Sequence, residues 1–136
     1  MMISTKGRYA LRVMLDLAGG DGFVSLKGIA DEQEISMKYL EAIVSKLNKS
    51  GLVRSHRGKD GGYRLMRPAG EISVAEILSS AEGTLCPVHC AGLTGGCERQ
   101  CECRTLPLWQ TLDKKIEEYL AAVTLEDRLR GRVRAE

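Results

Sequence analysis

The sequence predicts a mainly α-helical chain with one small β-hairpin. Apolar residues recur at helical spacing in three successive segments of the first fifty residues. Two short strand-like runs then flank the glycine-rich stretch Gly58-Lys59-Asp60-Gly61-Gly62, and a further apolar stripe runs from Leu108 to Val123. At 136 residues the chain has room for one real core and a small appendage, not for two large domains.

Taken in order, Tyr9, Ala10, Val13, Met14 and Leu17 share one helical face, and Gly19-Gly20 is a natural C-terminal break, so a first helix is expected over 4–18. Ser25 offers an N-cap for a short helix with Leu26, Ile29 and Ala30 inward, and Ser36 caps a third helix running to Lys49. That third helix has the stripe Tyr39, Leu40, Ile43, Val44 and Leu47, which leaves Met37, Lys38, Glu41, Ser45 and Lys49 on other faces. Two short helices joined by a tight turn suggest a helix-turn-helix. Leu52–Arg57 and Tyr63–Arg67 then read as a hairpin with a basic, glycine-rich tip. Three helices followed by such a hairpin make a winged helix-turn-helix, an architecture that lays its third helix in the DNA major groove and its wing on the flanking backbone or minor groove. A winged helix used only to bind proteins is the competing use.

Ser73-Val74-Ala75-Glu76 is a capping-box pattern opening a short helix to about Ala81, with Val74, Ile77 and Leu78 as its apolar face. Further on, Pro107 suits a first helical turn, and Leu108, Leu112, Ile116, Tyr119, Leu120 and Val123 line one side of a long helix ending near Val123. Such a helix needs a packing partner. The same helix of a second copy is the expected one, because a two-fold homodimer matches a palindromic operator in double-stranded DNA; folding back on its own domain is the alternative. The arginine-rich stretch 124–136 reads as a frayed, solvated tail. The expected divisions are therefore 1–83 for the winged domain, 84–104 for a cysteine-rich loop, and 105–136 for the dimerisation helix and basic tail.

Net charge is +2, unevenly spread: residues 1–70 carry twelve Lys/Arg against seven Asp/Glu, and residues 71–136 eight against eleven. A basic front half suits contact with phosphates. No apolar run approaches the ~20 residues of a membrane span, and the start carries no signal-peptide apolar region, so a cytoplasmic protein is expected. No nucleophile–base constellation, phosphate-binding loop or Cys-x-x-Cys pair is present, so an enzyme is not expected.

All five cysteines, Cys86, Cys90, Cys97, Cys101 and Cys103, fall in one eighteen-residue stretch that is poor in large apolar side chains and holds four Gly or Pro. Scattered core cysteines or a secreted disulfide framework would look different. The stretch reads as a loop whose fold needs a ligand, and thiolates suit zinc, copper(I) or an iron–sulfur cluster.

Thr5–Ala10, Ile35–Glu41, the wing Arg57–Tyr63 and the cysteine loop ahead of Leu108-Trp109 together resemble the IscR-type iron–sulfur cluster regulators. They also resemble the wider winged-helix repressor family that includes nitric-oxide and cysteine-metabolism regulators. The resemblance covers nearly the whole chain. It implies a homodimeric transcription factor that holds a [2Fe-2S] cluster in the loop and controls iron–sulfur biogenesis genes.

For DNA it implies base reading from the third helix, by Glu41, whose carboxylate accepts from cytosine N4, and by Lys38, toward guanine or a phosphate; Glu41 as a plain surface charge is the alternative. Arg57 matches a wing arginine that enters the minor groove, with Lys59 beside it at the basic tip. Lys6, Arg8 and Tyr9 could hold phosphates, and Tyr9 could equally be core packing.

For the cluster, the implied pattern spaces three cysteines by about five residues with a histidine three positions after the last. Cys90, Cys97 and Cys103 follow it, with six residues in the first interval and five in the second, but the histidine position is Leu106. A leucine cannot coordinate iron. Cys101 is the first candidate for the fourth ligand, since positions two apart in extended chain face the same way; Cys86, His89, Glu98 and Glu102 compete. The alternative to the cluster is a winged-helix repressor that senses thiol oxidation, zinc, nitric oxide or a protein partner.

Overall fold

The computed structural model of the chain describes residues 3–59, 61–83, 85–87 and 102–131. Among them the order is α1 (Thr5–Gly19), α2 (Leu26–Gln33), α3 (Met37–Lys49), β1 (Val53–His56), β2 (Gly62–Leu65), a 3-10 turn (Ala69–Glu71), α4 (Val74–Glu82), α5 (Leu106–Ala122) and α6 (Leu125–Leu129). The expected helices and hairpin are all present.

The inward stripes of the helices meet in one core. Ala10, Val13 and Met14 of α1, Ile29 of α2, Leu40, Val44 and Leu47 of α3 and Ile77 of α4 are almost wholly buried together. Each large apolar side chain so buried contributes about 1.5–3 kcal/mol. Local caps set the helix starts: Ser25 Oγ accepts from the Gly28 amide at 3.2 Å, Ser36 Oγ from the Tyr39 amide at 3.2 Å, and Ser73 with Glu76 forms the reciprocal capping box.

The turn between α2 and α3 uses no glycine. Glu34 ends α2 in the left-handed region (φ 54°, ψ 45°), and the buried Ile35 follows, its amide donating to the Ala30 carbonyl at 3.0 Å. Gln33 Nε2 donates to Asp16 Oδ2 at 2.8 Å and so ties α2 to α1.

Helix α1 obtains its N-terminal acceptor from a distant residue. Ser4 makes no side-chain cap; instead Glu82 Oε1, at the end of α4, accepts from the Ser4 amide (2.8 Å), the Ser4 hydroxyl (2.6 Å) and the Gly7 amide (3.1 Å). Gly7 suits this approach, because a Cβ there would meet the same carboxylate oxygen and force the Glu82 side chain to shift.

The hairpin pairs Val53 with Leu65, Arg54 with Arg64, Ser55 with Tyr63 and His56 with Gly62. Val24 adds a one-residue third edge: its amide donates to the Tyr63 carbonyl at 2.8 Å and its carbonyl accepts from the Tyr63 amide at 2.9 Å. A side chain at Gly62 would strike the Val24 carbonyl, so the close approach requires glycine.

The expected frayed tail is corrected over its described part. Thr124 and Asp127 form a capping box opening α6, Thr124 pairs with Ser73, and Leu125 and Asp127 are almost fully buried. The Leu125 amide donates to the Ile72 carbonyl and the Val74 amide to the Val123 carbonyl, both at 2.8 Å. Leu125 joins the core formed with α1. Burial of one leucine and closure of these bonds outweigh the preference of the neighbouring arginines for solvent.

Candidate nucleic-acid interface and cysteine segment

Because α3 commits Leu40, Ile43, Val44 and Leu47 to the core, its first turns turn Met37, Lys38 and Glu41 outward. These are the positions from which a recognition helix reads base edges. Arg57 and Lys59 are exposed at the hairpin tip, and Lys6 and Arg8 are exposed on the first turns of α1. Among the described residues the ion pairs are Arg67–Glu76, Lys114–Glu118 and Arg130–Glu126, so these five cations meet no acidic partner there. Tyr9 is half-buried, edge-on to Tyr39 at 5.9 Å with Arg12 over its ring at 5.6 Å, a contact that joins α1 to α3. Core packing therefore accounts for Tyr9.

Sequence reasoning missed Glu82, which orients the α1 N-terminus bearing Lys6 and Arg8, and Val24, which braces the wing. Gly7 and Gly62 were the available signals, since each is a place where another residue comes too close for a side chain.

Of the expected cluster ligands, Cys103 is within the described residues, whereas Cys90, Cys97 and Cys101 lie outside them, as do His89 and Glu98. Among the described residues no group of three or more His, Cys, Asp or Glu is placed to hold a metal. Cys103 sits just ahead of α5, its Sγ 3.2 Å from Thr105 Oγ1. The Thr105 hydroxyl, then the Thr105 and Leu106 amides, push this thiol below its ordinary range. That is the environment of a thiolate donor or a reactive thiol. Leu106 opens α5 and is buried, so the position of the expected histidine is occupied by a core residue.

The rest of α5 is partly covered, with Trp109, Ile116 and Leu120 half-buried and Leu120 packed against Val74, Leu78, Leu85 and Val123. Leu106 is its one buried residue, while Leu108, Leu112 and Tyr119 are 59, 39 and 45% exposed. Ile3, Lys115, Ile116, Tyr119 and Leu120 line an apolar concavity of about 320 Å³ along it. Among the described residues no helix is long and apolar enough to cross a membrane.

The profile of the Rrf2 family, described as iron-dependent transcriptional regulators, matches residues 3–130. The chain belongs to the Rrf2 family. The HTH-type transcriptional regulator IscR of Xenorhabdus nematophila is 42% identical over 129 residues, covering 93% of this chain and 78% of that one. Two solved structures are similar over nearly the full length. CymR, the global cysteine regulator of B. subtilis, has a TM-score of 0.78 at 37% identity, covering 98% of this chain and 99% of that one. IscR of T. potens has a TM-score of 0.77 at 39% identity, covering 96% and 88%. As an Rrf2 regulator the chain is a winged-helix DNA-binding transcriptional regulator; its relatives and structural neighbours are regulators, not enzymes.

Proposed function

We propose that this Rrf2 regulator works as a homodimer on a palindromic operator and holds a [2Fe-2S] cluster through Cys90, Cys97, Cys103 and Cys101, with iron–sulfur biogenesis genes as its targets. The observation that carries the cluster reading is the setting of Cys103 just ahead of α5, where its Sγ lies 3.2 Å from the Thr105 hydroxyl, a contact that lowers the thiol's pKa. The donor set fits: thiolates are the usual ligands of iron–sulfur clusters, and Leu106, being apolar and buried, leaves the fourth place to a residue of the loop. When bound, the cluster supplies a redox- and oxygen-sensitive group; the chain supplies the thiolates. The 42% identity to an IscR supports the same reading.

The exposed apolar face of α5 supports the dimer, as an uncovered stripe of this length is unusual on a monomer. In this reading residues 1–83 bind DNA, 84–104 hold the cluster and 105–136 carry the dimer contact. Glu41 and Lys38 read bases in the major groove, Arg57 enters the minor groove with Lys59 beside it, and Lys6 and Arg8 hold phosphates.

Anaerobic purification followed by a visible spectrum and iron, sulfide and zinc assays tests the cluster. A reddish-brown protein with about two irons and two sulfides per chain is expected. Colourless protein, with zinc or with no metal after attempted reconstitution, refutes it. That outcome is favoured by one observation of its own, the likeness to a global cysteine regulator, and leads to a thiol or zinc switch on the same DNA-binding fold.

A further inference from the structure

The outer face of the hairpin carries an arrangement that the recognition helix and the wing tip leave unexplained. Arg54 and Arg64 stand directly opposite each other across β1 and β2, and both are exposed. Like charges in that relation destabilise a strand pair. Both nevertheless converge on one ring: Arg54 Cζ lies 5.7 Å and Arg64 Cζ 5.5 Å from the centre of Phe23, the single phenylalanine of the chain. His56, on the same strand face as Arg54, lies against that ring at 5.0 Å. Among the described residues neither arginine has an ion pair.

Phe23 is held where it is. The next residue, Val24, is bonded through both its amide and its carbonyl to Tyr63, and Gly62 leaves room for that approach. Phe23 is therefore fixed to the wing by backbone bonds rather than by apolar burial, and it remains half-exposed. A guanidinium over an aromatic face is stabilised by the ring yet keeps its in-plane N–H donors available. Two such groups on one ring form a preorganised pair of anion donors, and a phosphate diester backbone is the ligand class that compensates two adjacent fixed cations.

We propose that Arg54 and Arg64, splayed on Phe23, form a phosphate clamp on the outer face of the wing. It grips the sugar–phosphate backbone of bound DNA without reading sequence, separately from Arg57 and Lys59 at the tip. Phe23 is its positioning residue. The clamp rests on the reading that the wing lies against DNA, so the test includes a tip variant that reports on the wing alone.

The experiment measures, by fluorescence anisotropy, binding of the full chain to two duplexes between 50 and 200 mM salt: a palindrome selected from a random pool by the wild-type protein, and a scrambled duplex of equal composition. Arg54→Gln and Arg64→Gln are each expected to weaken both duplexes by the same factor, on the order of five- to tenfold near 0.1 M salt, and to reduce the log–log salt slope by about 0.9. Arg54→Lys and Arg64→Lys keep the charge and are expected to keep the slope, which separates lost contact from lost fold. Phe23→Leu keeps an apolar group without the ring face and is expected to weaken both duplexes about two- to fivefold. Unchanged slope and affinity in the glutamine variants, with Arg57→Ala still impaired, overturn the clamp and leave the wing reading standing. Impairment of neither overturns both. A loss confined to the selected palindrome makes Arg54 or Arg64 a base reader and also overturns the clamp, and an unchanged Phe23→Leu overturns the role of the ring.

Discussion

Glu82→Ala is expected to destabilise the protein by about 2–3 kcal/mol, because one carboxylate oxygen carries three hydrogen bonds to the start of α1. The Ser4 amide at 2.8 Å, the Ser4 hydroxyl at 2.6 Å and the Gly7 amide at 3.1 Å all donate to it in a half-buried setting. Hydrogen bonds to a charged group are worth about 1.5–3 kcal/mol, and a negative charge at a helix N-terminus adds about 0.3–1 kcal/mol. The three share one acceptor and two of them one residue, so they do not add fully. For a chain of this size the loss corresponds to a fall in Tm on the order of 10 °C by circular dichroism. Gly7→Ala is expected to cost about 1–3 kcal/mol alone, since its Cβ meets the same oxygen. Once Glu82 is alanine that collision disappears, and the better helix propensity of alanine, about 1 kcal/mol, offsets the closer contact with Ile3. The two changes must therefore be strongly non-additive. Additivity within about 0.5 kcal/mol would show that Gly7 is not glycine for the sake of Glu82, and would refute the reasoning.

Four further outcomes are expected. Glu76 is held below its ordinary value of 4.5: partial burial works to raise it, but the Ser73 amide and then Arg67 outweigh that effect. Its stabilisation is thus present above the ordinary carboxylate range and lost as pH falls through the lowered value. Glu76→Gln should lower Tm at pH 7 and approach the wild type only at pH values below the lowered pKa, and a constant gap across pH would contradict this. Glu34→Gly relieves a left-handed backbone and should raise stability by about 1 kcal/mol in urea unfolding. Leu125→Ala should cost about 2–5 kcal/mol, a loss that a solvated tail would not produce. Thr105→Val should raise the pH at which Cys103 of metal-free protein is alkylated, read by peptide mass spectrometry, whereas an unmoved profile would discount the Thr105 hydroxyl.

What was legible in the sequence was local. Ser25, Ser36 and Ser73 each cap a helix through an amide three residues on, so the signal and its target share one short window. The α3 stripe divides buried from outward residues by periodicity alone, and the outward set contains Lys38 and Glu41. What was not legible depends on partners far along the chain. Glu82 bonds Ser4 across 78 positions. Val24 is a strand of one residue, too short to alternate. At α6 the arginines hid a helix whose signs were present, Thr124 three residues before Asp127 with Leu125 between. The cysteine spacing points to a candidate site, but spacing alone does not make side chains converge, and Leu106 stands where the residue that would complete the expected set was implied.

The closure of the fold on either side of residues 84–104 bears on how such regulators diversify. The Val74 amide meets the Val123 carbonyl, the Leu125 amide meets the Ile72 carbonyl, and Leu85, near the start of the segment, and Leu106, just after it, are both buried. The helices that precede and follow the segment, α4 and α5, are thus joined to each other at the ends remote from it by bonds belonging to the domain itself. Doubling the length of a loop with fixed ends costs only about 0.6 kcal/mol. A lineage could therefore exchange ligands, shorten the segment or replace its chemistry outright while inheriting an intact DNA-facing platform, much as a socket accepts different instruments. Regulators of iron–sulfur and of cysteine metabolism built on one backbone are what such interchangeability would produce.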